Sequence, residues 1–172
     1  MLEIKDEGYA KVSEWGLREA SRAVLFDSKG LVPLLFVSKH NYHKLPGGGI
    51  DKGESRSEAL TREVMEEVGS KIEVTGEAGK IIEYRAGKMF GWEHDIKQTS
   101  YCYVGNIVSK GVPEFEEGEL EEGFRLVWAP LDKAISLVRD SKPDNYEGKF
   151  IQKRDLVFLM EAKRMRIQNQ VK

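Results

Sequence analysis

Helices layered on a sheet, in an α/β or α+β arrangement, are what this 172-residue chain points to, and three observations lead there. Short apolar runs typical of strands alternate with three stretches of helical periodicity. The length suits one domain, at roughly 100–200 residues each, and is enough to bury a sizeable core. A content of 40% hydrophobic and 33% charged residues is that of a globular chain, not a disordered one.

Residues 21–26 and 31–37 read as strands, and the composition of Asp27–Gly30 makes a turn between them, so a hairpin is expected. Pro33 cannot donate to a ladder and marks an edge or a bulge. Residues 45–53 then hold four glycines. Ser55 with Glu58 three residues on is a capping-box pattern, which starts a helix running to Val68 and stopped by Gly69. Residues 71–85, 97–108 and the shorter 124–128 read as further strands. Leu131 to Arg139 and about 147–167 read as helices, the last with Phe150, Leu156, Leu159 and Met160 on an apolar face.

The charge balance excludes some functions. With 27 Lys and Arg against 29 Asp and Glu, the net charge is −2, which argues against a protein built to coat nucleic acid. Cys102 is alone, so no intrachain disulfide forms. Met1 to Gly8 mixes charges with no apolar stretch behind it, unlike a signal peptide. The longest apolar run, Leu31–Val37, has seven residues, against about 20 for a membrane span. A cytoplasmic protein is the default expectation.

Chemistry concentrates at residues 55–69. At about 100° per residue, Leu60, Val64 and Val68 form an apolar stripe, and Glu63, Glu66 and Glu67 share a neighbouring arc of about 100°. A like-charged i,i+4 pair costs roughly a few tenths of a kcal/mol, so three carboxylates on one face need a reason. Arg62 relieves part of their repulsion. An arbitrary glutamate run is usually a solvated face, but Gly47, Gly48 and Gly49 just upstream allow close backbone approach. Mg²⁺ takes oxygen ligands from a few carboxylates and from substrate phosphates. A glycine loop leading into converging carboxylates therefore suits a metal-bound polyphosphate.

From Gly48 the chain reads Gly, five residues, Glu54, seven residues, then Arg62-Glu63-Val64-Met65-Glu66-Glu67-Val68-Gly69. This resembles the box of the Nudix family, G-x5-E-x7-R-E-U-x-E-E-x-G-U with U a bulky aliphatic. Every fixed residue matches, and Ser70 departs only at the last aliphatic position, which usually packs and does not react. Leu45-Pro46-Gly47-Gly48-Gly49 also resembles what commonly precedes the box. The resemblance implies a single domain over residues 1–172. Its core would be an α/β/α sandwich with a central mixed sheet over about 18–165.

It further implies Mg²⁺- or Mn²⁺-dependent attack of water on a nucleoside diphosphate derivative. Glu63, Glu66 and Glu67 would bind metal, with the backbone carbonyl of Gly47 or Gly48. Glu63 or Glu66 would double as the base, and Arg62 and Glu54 would orient the carboxylates. The six glutamates of 114–122 read as a solvated loop for the most part; in many family members a carboxylate from the loop before the last strand reaches the metals, a part the resemblance would give to Glu121 or Glu122. Arg22 and Lys39 are candidates for phosphate contact, as are His40 and His43, with ordinary surface roles the competing reading.

Tyr84, Phe90 and Trp92 are candidates to stack on a base, against a packing role. His94 has no visible partner, and Cys102 reads as a small buried hydrophobe. The basic C-terminal stretch is too small to prefer nucleic acid. The compact length leans toward a MutT-like nucleoside triphosphate pyrophosphohydrolase releasing monophosphate and pyrophosphate, with an oxidised nucleotide one conceivable substrate. Hydrolysis of ADP-ribose or dinucleoside polyphosphates is the alternative; many ADP-ribose enzymes carry a proline where Arg85 stands. A non-catalytic nucleotide-sensing module is disfavoured by the intact carboxylates. RNA decapping is disfavoured by the modest positive charge. Dimers are common in the family, which leaves a homodimer open.

Overall fold

The central element is a strand buried on both faces, and the layers follow from it. In the computed structural model, which describes residues 2–5, 14–85 and 95–170, this strand is β2 (Gly16–Phe26). Its side chains alternate between two cores, as a pleated strand requires. Val24 and Phe26 join Phe158, Leu159 and Ala162 of helix α4 (Tyr146–Gln170) and Ala134, Ile135 and Val138 of α3 (Leu131–Arg139). Ala23 and Leu25 face the other way, onto Leu60, Val64 and Val68 of α1 (Arg56–Val68). The apolar stripe read from the sequence is thus the buried face of α1, and the layers are helix, sheet, helix.

The sheet is mixed and divided. Four strands run in the order β1 (Leu2–Lys5), β5 (Ser70–Arg85), β6 (Ile96–Lys110), β2; the outer pairs are parallel and β5–β6 is antiparallel. Three antiparallel strands form the other part, in the order β4 (Tyr42–Lys44), β3 (Leu31–Val37), β7 (Phe124–Pro130). The expected hairpin of 21–26 with 31–37 is therefore corrected. Asp27–Gly30 does turn the chain, with Gly30 N–H donating to Asp27 O at 2.8 Å, but the two strands lie in different sheets. Pro33 pairs only with Trp128 of β7, because β4 covers only Leu35–Val37, so it sits where β3 has one ladder neighbour.

Helix α1 begins and ends as its sequence requires. Ser55 Oγ accepts from Glu58 N–H, the Glu58 carboxylate accepts from Ser55 N–H at 2.9 Å, and Gly69 ends the helix at φ 65°. The acidic segment 114–122 was expected to be a solvated loop, but it contains a short helix, α2 (Glu117–Glu121). Among the described residues no helix is long and apolar enough to cross a membrane.

Candidate active site

The glycine loop is laid along the outer edge of β2. Ala23 N–H donates to Pro46 O at 3.2 Å, Ser21 N–H to Gly48 O at 3.0 Å and Ile50 N–H to Glu19 O at 3.0 Å. Gly47 has φ 123°, and a Cβ there would lie 2.2 Å from Ser21 O, so no side chain fits without moving β2. Gly48 is needed for a different reason. A Cβ there would lie 2.2 Å from Glu63 Oε1, which means the helix carboxylate is packed directly on the loop.

Three glutamates one to four residues apart on α1 are held by different partners. Glu67, 1% exposed, accepts from Lys44 Nζ at 2.7 Å and from Gly47 N–H at 2.6 Å. Burial pushes its carboxyl up to about 7, even against Lys44 and the Gly47 amide. Arg62 spans the other two: Nη1 donates to Glu63 Oε1 at 2.9 Å and to Glu66 Oε2 at 3.3 Å. The same guanidinium reaches Glu54 through Nε at 3.0 Å and Nη2 at 3.1 Å, and Gly49 O through Nη2 at 3.1 Å. Arg62 thus locks loop and helix together, and its pKa rises through the Glu54 bond and those to its other carboxylates. Burial lifts Glu66 above the usual carboxylate range, with Arg62 opposing and Glu63 adding to it.

These groups line a cavity of about 430 Å³ into which α2 and its flanks also bring Glu116, Glu119 and Glu122. Glu122 reaches the rim but is paired, to Lys39 Nζ at 2.8 Å and His40 Nε2 at 3.0 Å. Lys39 is not among the lining residues; it holds Glu122 in place. His40 also contacts Asp144 at 2.8 Å, while His43 bonds Ser141 and stacks on Phe36 at 4.8 Å. His40 ties its turn to the loop after α3, and His43 ties β4 to the same loop. Tyr84 packs against Trp15 at 5.2 Å, outside the cavity lining, and Phe90, Trp92 and His94 lie outside the described residues. Cys102 is buried, and burial raises its thiol far above the ordinary range, as a packing residue would be.

A second wall of the same cavity is basic. Arg18 and Arg22 come from β2, Arg85 from β5 and Arg154 from α4, beside Gln98 of β6. Beneath them lies a buried polar network. Arg154 Nε donates to Asp155 Oδ1 at 2.7 Å and Nη1 to Glu83 Oε2 at 3.3 Å. Gln98 Nε2 donates to Glu83 Oε2 and to Ser100 Oγ, each at 2.9 Å, and Asp155 Oδ2 accepts from Leu45 N–H at 2.8 Å. The last bond anchors the start of the glycine loop to α4.

Burial alone raises Glu83, but Arg154, Arg85 and Arg22 together outweigh it and hold its carboxyl below the usual range. A carboxylate depressed in the folded state stabilises the protein above its unfolded pKa, about 4.3. That contribution is lost as pH falls through the lower folded value. Glu83→Gln is expected to cost about 3–5 kcal/mol at neutral pH, measured by urea unfolding. The gap to wild type should close in acid; a pH-independent gap would contradict the pairing.

Of the sequence candidates, Glu54, Arg62, Glu63, Glu66, Glu67, Gly47, Gly48 and Arg22 are brought together, Glu122 reaches the rim and Lys39 does not. Sequence reasoning missed Lys44, Arg18, Arg85, Arg154, Glu116 and Glu119. Only Lys44, next to the glycine loop, carried a local signal. The donors on the α1 wall are carboxylate and carbonyl oxygens, which fit a hard divalent cation. Among the described residues no three His, Cys, Asp or Glu side chains close into a ready cage. Mg²⁺ does not require one, since it keeps waters and shares substrate phosphates.

Comparison with known proteins agrees with this geometry. The NUDIX domain model matches residues 16–152. A human (Homo sapiens) diphosphoinositol polyphosphate phosphohydrolase, NUDT4B, is 26% identical over 150 residues, covering 86% of this chain and 77% of that protein. The crystal structure of a MutT protein from Methanosarcina mazei Go1 superposes with a TM-score of 0.56 at 20% identity, covering 89% of this chain and 97% of that one. An ADP-ribose pyrophosphatase from Streptococcus suis 89-1591 gives 0.52 at 20% identity, covering 86% and 92%.

Proposed function

We propose that this chain, which belongs to the NUDIX family, is a divalent-metal-dependent hydrolase that cleaves a pyrophosphate bond in a small polyphosphorylated molecule. The observation that carries this is one cavity with an acidic wall on α1 and a basic wall from β2, β5 and α4. Carboxylates hold cations, and guanidiniums hold phosphate.

Glu63, Glu66 and Glu67 would hold Mg²⁺ or Mn²⁺ with the Gly47 carbonyl, the Gly48 carbonyl being already an acceptor for Ser21 N–H. The bound ion supplies charge neutralisation on the phosphoryl oxygens and a more acidic water. Arg62 fixes the angle of Glu63 and Glu66 and is itself held by Glu54. Glu63 or Glu66 would also accept the proton of the attacking water. Water oxygen bonds to phosphorus, its proton passes to that carboxylate, and the bridging P–O bond breaks toward the leaving phosphate.

A nucleoside triphosphate cleaved to monophosphate and pyrophosphate is the first specific reading. A diphosphoinositol polyphosphate is the second, favoured by the name of the human relative and by the basic wall. The test is a panel of nucleoside triphosphates, oxidised guanine nucleotides, diphosphoinositol polyphosphates, ADP-ribose and dinucleoside polyphosphates, with products identified by ³¹P NMR. Turnover should vanish in EDTA and return with Mg²⁺ or Mn²⁺. A rate indifferent to EDTA would rule the mechanism out.

A further inference from the structure

Among the described residues, Arg22 is a buried charge left without a hydrogen-bond or ion-pair partner. Its side chain, 6% exposed, lines the cavity and makes no hydrogen bond or ion pair with any described residue; Nε and Nη1 are closed off from solvent. Burial, with Arg154 and Arg18 adding to it, draws its pKa down to about 10 against Asp155 and Glu67, so it is still cationic at neutral pH. Arg154, 1% exposed, is paired through two nitrogens but leaves Nη2 without a partner. Arg18 Nη1 donates to Gln98 Oε1 at 3.3 Å, and Arg85 Nη1 lies 3.5 Å from Glu147 Oε1. Around this wall the four guanidiniums meet the fully buried Glu83 and Asp155, with Glu147 beside Arg85 and the buried Glu67 across on α1.

Buried charges are normally paired, because removing an ion from water is costly, and like charges in a low-dielectric site repel strongly. A purely structural cluster would neutralise itself, as Arg154, Asp155 and Glu83 largely do. Arg22 adds charge and takes no bond. An anion in the cavity would supply the missing partner, and hydrogen bonds between guanidinium and phosphate are among the strong ones.

We propose that Arg22 and Arg154, with Arg18 and Arg85 beside them, form an anion subsite for a phosphate group of the substrate additional to the diphosphate being cleaved. The inference rests on the pyrophosphohydrolase reading and narrows it to substrates with three or more phosphates. The extra phosphate comes either from a linear chain or from phosphomonoesters on a ring. ADP-ribose, with its two phosphates, leaves the subsite empty. Among the described residues, the aromatic groups lining the cavity are Tyr42, which is buried, and Phe124, which carries Lys44 over its ring at 4.7 Å. Charge, more than base stacking, therefore distinguishes ligands on this wall.

The test separates binding from turnover. In EDTA, calorimetry with inorganic tripolyphosphate and with inositol hexakisphosphate should show binding to wild type, weakened about tenfold or more in Arg22→Gln. The tighter of the two identifies chain or ring as the source. Thermal melting checks that this variant is folded; Arg22→Met, which keeps an apolar stem and removes the charge, serves if the glutamine variant does not fold. With Mg²⁺, Arg22→Gln should lower the ratio of kcat/KM for a nucleoside triphosphate or diphosphoinositol polyphosphate over that for ADP-ribose by about tenfold, mainly through KM. Equal affinity of wild type and Arg22→Gln for each test ligand, or an unchanged ratio, overturns the subsite. Arg22-dependent binding without turnover of any substrate overturns the hydrolase reading and leaves the subsite standing.

Discussion

Glu67→Gln should lower kcat by at least about a hundredfold on any substrate the enzyme turns over. Glu67 is the most buried of the three helix carboxylates, and its two oxygens meet Lys44 Nζ at 2.7 Å and Gly47 N–H at 2.6 Å. The amide keeps the shape and removes the negative charge that a divalent cation needs. It also turns one acceptor into an NH₂ donor, which must face either an ammonium or a backbone N–H. Stability should therefore fall as well, by about 1–3 kcal/mol. Rates measured below the melting transition, on protein shown to be folded by circular dichroism, separate the two effects. Near-normal turnover would sink the assignment of Glu67 as a metal ligand.

Gly48→Ala should produce a similar loss of activity with little loss of stability, and Gly47→Ala the reverse order of damage. At Gly48 the three atoms nearest the added Cβ all belong to the Glu63 carboxylate, at 2.2 and 2.4 Å, and a glutamate end can swing away. The fold survives, but Glu63 leaves the position set by Arg62, and displacement of a catalytic group by about 1 Å can cost about a hundredfold. At Gly47 the Cβ meets Ser21 O and Arg22 Cα, both backbone, at a φ that favours glycine. Melting temperature should thus drop clearly in Gly47→Ala and little in Gly48→Ala. Equal melting losses would contradict the packing of Glu63 on the loop.

Much of this site was legible because it is local in sequence. The Ser55–Glu58 cap, the Leu60–Val64–Val68 stripe, the Gly69 stop and the arc of Glu63, Glu66 and Glu67 all follow from helical geometry over fifteen residues. Arg62 is legible for the same reason, and Glu54 directly precedes the N-cap Ser55. The basic wall was not legible. Arg18, Arg22, Arg85 and Arg154 lie on three elements up to 136 residues apart, so no spacing announces them. Only the parallel pairing of β2 with β6, the antiparallel β5–β6 ladder and the docking of α4 bring them together.

The hairpin reading failed for a related reason. A turn at Asp27–Gly30 is a local property, while the ladder partner of a strand is not. The continuous apolar run from Ala23 to Phe26 was the better guide, since a strand apolar on both faces belongs between two helical layers. β1 and β4, at four and three residues, are too short to carry a pattern of their own. The acidic segment 114–122 read as solvent-exposed charge. Three of its glutamates face the cavity, because Glu114 N–H donates to Glu66 O at 2.7 Å and Lys39 N–H to Glu122 O at 3.2 Å, drawing it across the site.

A titration of the protein with Mn²⁺, following the electron paramagnetic resonance of the free ion, asks whether the acidic wall is a metal site without requiring a substrate. Wild type should take up the ion, and the paired change Glu63→Gln with Glu67→Gln should weaken uptake about tenfold or more in a protein that still melts cooperatively. Equal uptake by the two proteins would contradict the assignment of these glutamates to the metal.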